Sequence, residues 1–361
     1  MGPAEDHRGL PRALRWTGAL GALVGTAAAG VTAAAAAQRA LVRRARRELP
    51  DPYAGERFGA LPYHDRRVVT AADGTDVYVE IVEPEQAENR PTLIFVHGFC
   101  LNLGSFHFQR KALVEQGFRM VFYDQPGHGR SGRLESGEYE FPALAAALRA
   151  VIDETTPSGP LVLIGHSMGG MTLMALAECH PDLFGDRVVG VALIATSAGL
   201  TVQTKSGLSA LVARFGGSVL PLARTTRFTG GVIDRARLAA GDLAWLLTRR
   251  FAFGGERPSP ALVSYVEQMN SSTTVDTIAR YVRAIYTHAR HPALAALHAT
   301  PTLVVAGEQD RIIPVEHSEE IVRRLPDAEF VRVPDSGHMV LMEHADEVNA
   351  ALTDFLGRLG A

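Results

Sequence analysis

The sequence predicts an α/β protein whose mostly parallel sheet is flanked by helices, and two observations support this fold class. Short apolar runs alternate with helical patterns along most of the chain beyond residue 66. Such alternation is typical of β-α-β units, which build a parallel sheet covered by helices. Apolar residues make up 47% and charged residues 21% of the 361 residues, so the chain can bury a full-sized core.

The predicted elements follow one another in a regular order. A β-hairpin comes first, because an Asp73-Gly74 turn separates two runs rich in β-branched residues at 68–70 and 77–82. The strands predicted beyond the hairpin cover residues 92–96, 119–123, 161–164, 188–195, 302–306 and 329–333. The accompanying helices cover residues 106–116, 143–154, 171–179 and 316–325, with a closing helix from about Glu347.

The longest interval without a strand-like run lies between Ser197 and Thr302 and contains helical patterns at 208–215, 238–247 and 277–287. We therefore predict a helical cap over residues 201–295, on a core formed by residues 66–200 and 296–361. Open α/β sheets bind ligands at the carboxyl ends of their strands, where this cap is expected to lie. Some of its apolar residues are expected to line an apolar pocket, and the candidates are Leu211, Phe215, Leu246, Phe251 and Tyr265. Residues 51–65 are predicted to be a linker.

Residues 1–50 differ from the rest of the chain, because eight arginines and three acidic residues give them a net charge of +5 (8 − 3). Within them, the 23 residues from Trp16 to Gln38 carry no charge, a length that crosses a hydrocarbon core of about 30 Å as a helix. We predict a single-pass anchor in membrane lipid, with the globular part on the cytoplasmic side because more arginines follow the segment than precede it. Two alternatives stay open: a signal peptide cleaved near residues 35–37, which implies a secreted form, and an Ala-rich soluble helix.

The overall charge and the cysteine count exclude several kinds of site. The chain has 36 Lys and Arg against 39 Asp and Glu, a net charge of −3, and so lacks the basic footprint of a nucleic-acid-binding protein. Its two cysteines, Cys100 and Cys179, provide neither a disulfide framework nor a metal cluster, and we predict both to be free thiols. The sequence carries no signal for an oligomeric state.

The candidate chemistry centres on the motif G-H-S-M-G-G at 165–170. The motif follows an apolar run that ends at Ile164 and precedes a helix-forming stretch, which is the strand-turn-helix setting of a nucleophile elbow. A sharp turn there exposes the serine hydroxyl, and the glycines allow neighbouring backbone segments to pass close together. We predict Ser167 as the nucleophile; a bare match to G-x-S-x-G in a tight turn would be a much weaker indication.

A serine nucleophile needs a base, and the base needs an orienting acid. His338 is the predicted base because it lies in a loop just after the last predicted strand, at the same sheet edge as Ser167. The other candidates are weaker, since His317 and His344 fall at helix starts and His180 ends a helix.

The acid is expected in a loop that follows another strand. Asp310 follows the strand predicted at 302–306 and is the preferred candidate, with Glu308 and Asp335 as alternatives. A turn or helix-capping role is the other explanation for an aspartate at this position.

Two backbone N–H groups are predicted to form an oxyanion hole. Phe99 follows a strand and a His97-Gly98 pair, and Met168 follows the nucleophile, which are the positions whose N–H groups face a developing negative oxygen. His97 could instead be a metal ligand, but no second ligand lies at a suitable spacing. We therefore expect no metal and no cofactor.

With these motifs in place, the chain from about residue 66 resembles the α/β-hydrolases of the esterase, lipase and perhydrolase kind. The resemblance rests on F-V-H-G-F at 95–99, Y-D-Q-P-G-H-G-R-S-G at 123–132, G-H-S-M-G-G at 165–170, A-G-E-Q-D at 306–310 and S-G-H at 336–338. It implies Ser167 as nucleophile, Asp310 as acid and His338 as base, in the family's chain order. It also implies that residues 124–132 form a structural loop near the site and that residues 201–295 correspond to the family's variable cap.

The function expected from these residues is hydrolysis of carboxylic esters of small-to-medium apolar acyl groups through an acyl-enzyme. Related dehalogenases and epoxide hydrolases carry an aspartate where Ser167 stands, so their chemistry is not expected. The same triad could serve perhydrolysis, acyl transfer or carbon–carbon bond hydrolysis. A non-catalytic binding protein on this scaffold is a further alternative, although such proteins commonly lose a triad member.

Overall fold

The computed structural model describes residues 51–85, 90–199 and 230–360, together with residues 40, 42 and 44, and for residues 230–240 it describes the backbone. The chain divides into two units, one formed by residues 1–48 and 228–243 and the other by residues 49–227 and 244–361. In the first unit the described part consists of the three isolated residues and the beginning of one helix. The strands belong to the second unit.

The second unit is built on a mostly parallel sheet, which confirms the predicted fold class. Its strands are β1 (Asp65–Thr70), β2 (Asp76–Val82), β3 (Thr92–Val96), β4 (Met120–Tyr123), β5 (Leu161–His166), β6 (Val188–Ile194), β7 (Thr302–Gly307) and β8 (Glu329–Val333). They lie in the order β1-β2-β4-β3-β5-β6-β7-β8. β2 pairs antiparallel with β1 and β4, and the remaining neighbours are parallel.

Helices connect most of these strands. They are α1 (His107–Val114), α2 (Phe141–Thr155), α3 (Met168–Cys179), α4 (Gly230–Ala252), α5 (Pro260–Ser272), α6 (Val275–Thr287), α7 (Glu316–Arg324), α8 (Val340–Glu343) and α9 (Ala345–Arg358). Short 3-10 helices lie at Leu103–Phe106, Pro181–Leu183 and His291–Leu297. In the part of the chain that the structure describes, α4, α5 and α6 all lie between β6 and β7, within the predicted cap.

The three strands β3, β5 and β7 are buried at every position. Successive side chains of a strand point to opposite faces of the sheet, so this pattern means that both faces are covered. The parallel pairing also brings the carboxyl ends of β3, β5, β7 and β8 to one edge of the sheet. The loops that follow these strands are therefore neighbours, although they are far apart in the sequence.

Several boundaries differ from the prediction for local reasons. Helix α3 begins at Met168 and not at residue 171, because the turn after β5 leads directly into the helix despite the poor helix propensity of its two glycines. The helix predicted at 106–116 is a 3-10 turn followed by α1. Asn102 starts that turn by accepting a hydrogen bond from the N–H of Gly104 at 2.9 Å, and the chain leaves the helical conformation at Gly117 with φ +79°.

Residues 51–62, predicted as part of a linker, are packed onto the surface of the second unit. The carboxylate of Asp51 accepts hydrogen bonds from Ser259 Oγ at 2.6 Å and from the N–H of Ala261 at 3.1 Å, at the start of α5. The ring of Phe58 stacks on the ring of Tyr265 with centroids 4.8 Å apart. Residues 51–62, called the strap below, therefore contact α5 and the residue before it.

Three of the five candidate pocket residues fall within the described residues. Leu246 and Phe251 are half-buried on α4. The ring of Tyr265 packs against the strap, so at least part of its surface serves packing. Leu211 and Phe215 lie outside the described residues.

The predicted membrane anchor at residues 16–38 also lies outside the described residues. Among the helices that the structure does describe, none combines the length and the apolar character needed to cross a bilayer.

Candidate active site

The turn after β5 holds Ser167 in an unusual backbone conformation, with φ +54° and ψ −119°. A non-glycine residue in this region is strained and is kept there by its surroundings. The strain is possible here because glycines flank the serine. A Cβ atom at Gly165 would lie 2.7 Å from the backbone nitrogen of Gly170, and one at Gly169 would lie 1.9 Å from the carbonyl oxygen of Val96.

The neighbouring strand β6 fixes the same turn from the other side. The N–H of Ser167 donates to the carbonyl of Ile194 at 2.9 Å, and its carbonyl accepts from Thr196 Oγ1 at 2.7 Å. With both backbone groups bound, the serine side chain has a defined direction at the sheet edge.

The structure brings Ser167, His338 and Asp310 into one hydrogen-bonded line. Ser167 Oγ lies 2.9 Å from His338 Nε2, and His338 Nδ1 lies 2.8 Å from Asp310 Oδ2. A carboxylate can only accept, so Nδ1 carries the proton and Nε2 is free to accept one from the serine. All three side chains are buried.

Asp310 is itself oriented by the loop that carries it. Its Oδ1 atom accepts hydrogen bonds from the N–H groups of Ile312 at 2.8 Å and Ile313 at 2.9 Å, which leaves Oδ2 for the histidine. The two alternative acids have other partners. Glu308 Oε1 lies 3.2 Å from Arg332 Nε, and Asp335 is exposed and accepts from Gln309 Nε2 at 2.8 Å.

The other histidines considered from the sequence do not reach Ser167 by hydrogen bonds. His317 Nδ1 lies 2.9 Å from Ser197 Oγ, and His344 Nδ1 lies 3.1 Å from Glu347 Oε1. His180 follows the C-terminal end of α3, away from the serine at its start.

The predicted oxyanion-hole residues flank the serine. Residues 98–101 form a turn in which the N–H of Leu101 donates to the carbonyl of Gly98 at 3.2 Å, with Phe99 and Cys100 at the centre. A Cβ atom at Gly98 would lie 3.1 Å from the Cβ atom of Ser167, so this turn packs directly against the serine. Met168 is the first residue of α3, where backbone N–H groups have no partner within the helix.

The comparison with known proteins identifies the fold family. A family model described as alpha/beta hydrolase fold matches residues 91–345. The chain belongs to the α/β-hydrolase fold family.

Relatives of this α/β-hydrolase carry several different names. This chain is 28% identical over 269 residues to the sn-1-specific diacylglycerol lipase ABHD11 of Mus musculus, and the match covers 74% of this chain and 81% of that protein. It is 24% identical over 297 residues to the bifunctional esterase/perhydrolase DCH of Acinetobacter calcoaceticus, covering 80% and 98%. The structure of a thermophilic esterase from Thermogutta terrifontis superimposes with a TM-score of 0.64 at 24% identity, covering 82% of this chain and 100% of that one, which shows the shared fold.

A buried polar network next to the turn at residues 98–101 was not found from the sequence. Its members are His97, Gln125 and Thr172, from the loops after β3 and β4 and from α3. Burial holds the pKa of His97 well below its usual value, so this imidazole is neutral. The sequence signal that could have found the network is the polar Gln125 next to Asp124 within the Y-D-Q-P-G motif.

A second contact missed from the sequence concerns the loop of His338. Glu343 on α8 accepts hydrogen bonds from the N–H of Gly254 at 2.9 Å, of Gly255 at 2.8 Å and of Gly337 at 2.8 Å. One carboxylate therefore ties the loop before His338 to the segment that follows α4. Gly254 and Gly255 lie 89 and 88 residues before Glu343, so no local pattern indicates their contact with it.

His166, the last residue of β5, contacts His338 through its ring. Its Nε2–H donates to the backbone carbonyl of His338 at 3.0 Å, and the two rings lie 5.0 Å apart. Burial lowers the pKa of His166 to about 3, so it stays neutral beside the other imidazole.

The two cysteines are free thiols. Desolvation raises the pKa of the Cys100 thiol to about 12, so it remains protonated at the centre of the turn at residues 98–101. Cys179 is exposed at the end of α3.

Proposed function

We propose that this protein is a serine hydrolase that cleaves carboxylic esters of small-to-medium apolar acyl groups. The observation that carries the proposal is the position of His338, which bridges Ser167 Oγ and Asp310 Oδ2 at 2.9 and 2.8 Å. A base within hydrogen-bond reach of a strained serine, with a buried carboxylate behind it, is the arrangement that activates a hydroxyl nucleophile.

In the proposed reaction, Ser167 Oγ attacks the ester carbonyl carbon while His338 Nε2 takes the serine proton. Asp310 stabilises the imidazolium that forms, and the N–H groups of Phe99 and Met168 bind the oxyanion of the tetrahedral intermediate. His338 then gives the proton to the leaving alcohol, and the acyl-enzyme remains. Water, activated by His338 in the same way, releases the acid and restores the serine.

The apolar side chains of the cap support the choice of substrate. Leu246 and Phe251 are half-buried on a helix between β6 and β7, in the part of the chain expected to cover the site. Each CH₂ group that such a pocket encloses contributes up to about 0.8 kcal/mol. We therefore expect kcat/KM to rise with acyl length until the pocket is filled, with acetate esters poor substrates.

A panel of p-nitrophenyl esters from acetate to dodecanoate tests both parts of the proposal. Ser167→Ala should reduce turnover to near background and abolish labelling by a fluorophosphonate probe, while wild type is labelled. Ser318→Ala, at another buried serine on α7, is the matched control and should keep both signals. Activity that survives in Ser167→Ala would remove the assignment of the nucleophile, and a flat chain-length profile would remove the apolar pocket.

Perhydrolysis is a second candidate, because one relative of 24% identity is named a bifunctional esterase/perhydrolase. In that reaction hydrogen peroxide would replace water as the acceptor of the acyl group, and a peracid would be released. An assay in which the released peracid oxidises a halide, and the oxidised halide then halogenates a dye, distinguishes the two reactions. For perhydrolysis, the dye signal obtained with ester and hydrogen peroxide together must depend on the ester and be lost in Ser167→Ala.

A further inference from the structure

Gln125 is completely buried and uses its side chain to join two separate elements of the site. Its Nε2 atom donates to the carbonyl of His97 at 2.6 Å, in the loop after β3. Its Oε1 atom accepts from Thr172 Oγ1 at 2.9 Å, on the first turns of α3. The amide thus spans the gap between the segment that carries Phe99 and the helix that begins at Met168.

A second contact in this loop, made through the ring of His97 and the backbone N–H of Gln125, fixes the orientation of the next peptide group. His97 Nδ1–H donates to the carbonyl of Gly98 at 2.8 Å, and His97 Nε2 accepts from the backbone N–H of Gln125 at 2.8 Å. The carbonyl of Gly98 and the N–H of Phe99 belong to the same trans peptide and point in opposite directions. Fixing the carbonyl therefore fixes the direction of the Phe99 N–H.

The neutral state of His97 is part of this arrangement. Burial holds its pKa well below the usual value, so Nε2 keeps the lone pair that receives the N–H of Gln125. If Nε2 were also protonated, its N–H would face the backbone N–H of Gln125, and the hydrogen bond between the two residues would be lost.

The helix end of the bridge is equally defined. Thr172 Oγ1 lies 2.9 Å from Gln125 Oε1 and 3.0 Å from the carbonyl of Met168, one turn earlier in α3. Thr172 is completely buried, so these are its available polar contacts within the described residues. The side chain of Gln125 consequently links the carbonyl of His97, in the peptide group before the one that carries the Phe99 N–H, to Thr172, which lies against the carbonyl of Met168.

We infer that Gln125 is a positioning residue that sets the separation of the two oxyanion donors, Phe99 and Met168. This inference rests on the proposed function, because the oxyanion forms only if Ser167 attacks a carbonyl. Donors that are misplaced by a fraction of an ångström lose much of their effect on the tetrahedral state and little of their effect on the bound ester. The effect of losing Gln125 should therefore fall on kcat and not on KM.

The test compares Gln125→Met with wild type, using p-nitrophenyl butyrate as substrate and an alkyl trifluoromethyl ketone as probe of the tetrahedral state. Methionine keeps the length of the side chain and removes both hydrogen bonds. We expect kcat to fall at least about tenfold, KM to stay within about twofold and the inhibition constant of the ketone to rise in proportion to the loss of kcat; removal of an entire oxyanion donor costs about 10²–10³ in kcat.

Gln109→Met is the matched control, because Gln109 is also completely buried but bonds to the carbonyl of Leu341 and to Asn349. This variant should lower the melting temperature while leaving the ratio of the ketone's inhibition constant to KM unchanged. Thr172→Val provides a second, milder variant if Gln125→Met does not fold. This variant removes only the hydrogen bond between Thr172 and Gln125, so kcat should again fall while KM changes little, but the fall should be smaller.

Two results separate the inference from the proposed function. If wild type is active, Ser167→Ala is inactive and both bridge variants match wild type in kcat and ketone binding, the positioning role of Gln125 is overturned alone. Parallel losses of kcat, KM and ketone binding in Gln125→Met and Gln109→Met would also overturn it, by showing general loosening of the core. Full activity in Ser167→Ala would overturn both.

Discussion

The carboxylate of Glu343 accepts a hydrogen bond of 2.8 Å from the backbone N–H of Gly337, the residue immediately before His338. The same carboxylate holds the N–H groups of Gly254 and Gly255. The backbone segments at Gly337 and Gly254 also pack directly against each other, since a Cβ atom at Gly337 would lie 2.5 Å from the backbone nitrogen of Gly254. The position of His338 therefore depends on the segment after α4 as well as on its own loop.

Glu343→Gln should lower both stability and activity. An amide offers one oxygen where the carboxylate offers two, so at least one of the three backbone N–H groups would face an NH₂ group. We expect a loss of about 1–2 kcal/mol in the free energy of unfolding and a lower kcat, measured by urea titration and ester turnover. Glu347→Gln, at an exposed carboxylate nearby, should stay within about 0.5 kcal/mol of wild type. Equal effects of the two substitutions would contradict this role of Glu343.

Asp310→Asn should leave the fold intact and reduce kcat by about 10⁴, as the matching change does in serine hydrolases of known mechanism. The amide NH₂ would face Nδ1 of His338 and favour the tautomer that cannot accept the serine proton. Glu308→Gln and Asp335→Asn are the controls, because these two carboxylates bond to Arg332 and Gln309. Should either control be the more damaging change, Asp310 is not the orienting acid.

Gly169→Ala should prevent correct folding of the site. The added Cβ atom would lie 1.9 Å from the carbonyl oxygen of Val96, and neither atom can move away, because the backbone of the turn sets the Cβ position and the oxygen belongs to the backbone of β3. Gly357→Ala is the control, since a Cβ atom there meets nothing within 4 Å on the helix α9. That change should raise the melting temperature, as alanine is favoured over glycine by up to about 1 kcal/mol in a helix. Normal yield and activity of Gly169→Ala would show that the turn is less tight than described.

Stability should fall when the pH is lowered from about 6.5 to about 4. Burial lowers the pKa to about 3 for His166 and about 4 for His128 and His288, and well below the usual value for His97. In this range the unfolded chain binds protons that the folded chain does not, so each histidine contributes a slope of up to about 1.4 kcal/mol per pH unit. Asp124 opposes the trend, because burial raises its pKa to about 6. Urea titrations at pH 7, 5.5 and 4.5 measure the net slope; constant stability over this range would contradict the prediction.

Deletion of residues 1–50 should leave an active enzyme that no longer sediments with membranes. The uncharged segment from Trp16 to Gln38 is the predicted anchor, whereas the strap that contacts α5 begins at Asp51. Full-length protein is expected in the membrane fraction after washing with high salt. Release by salt alone would favour a peripheral contact through the arginines, and recovery in the medium would favour the signal peptide.

The sequence was sufficient for the strands and much less so for their connections. The run at 92–96 is a strand with the predicted bounds, because burial on both faces demands a continuous apolar segment. The run at 329–333 also has the predicted bounds, although only its last residue is buried, because it pairs with β7 along its whole length. Helix α3 starts earlier than its glycines suggest, since the turn at Ser167 imposes the helical path. The contacts of Gln125 and Glu343 could not be predicted, because their partners lie in other loops of the sheet edge and leave no periodic signal.

The order of the strands also has a consequence for biosynthesis. Ser167 and His338 are separated by 171 residues, and a ribosome that adds roughly 5 to 20 residues per second needs about 10 to 30 seconds to pass from one to the other. The strands β1 to β6 are adjacent in the sheet and emerge first, while β7 and β8 join later at the edge beyond β6. A nascent chain can thus form the serine turn without a base to activate it. In the proposed mechanism, Ser167 becomes reactive only when the last two strands, whose loops carry Asp310 and His338, have docked.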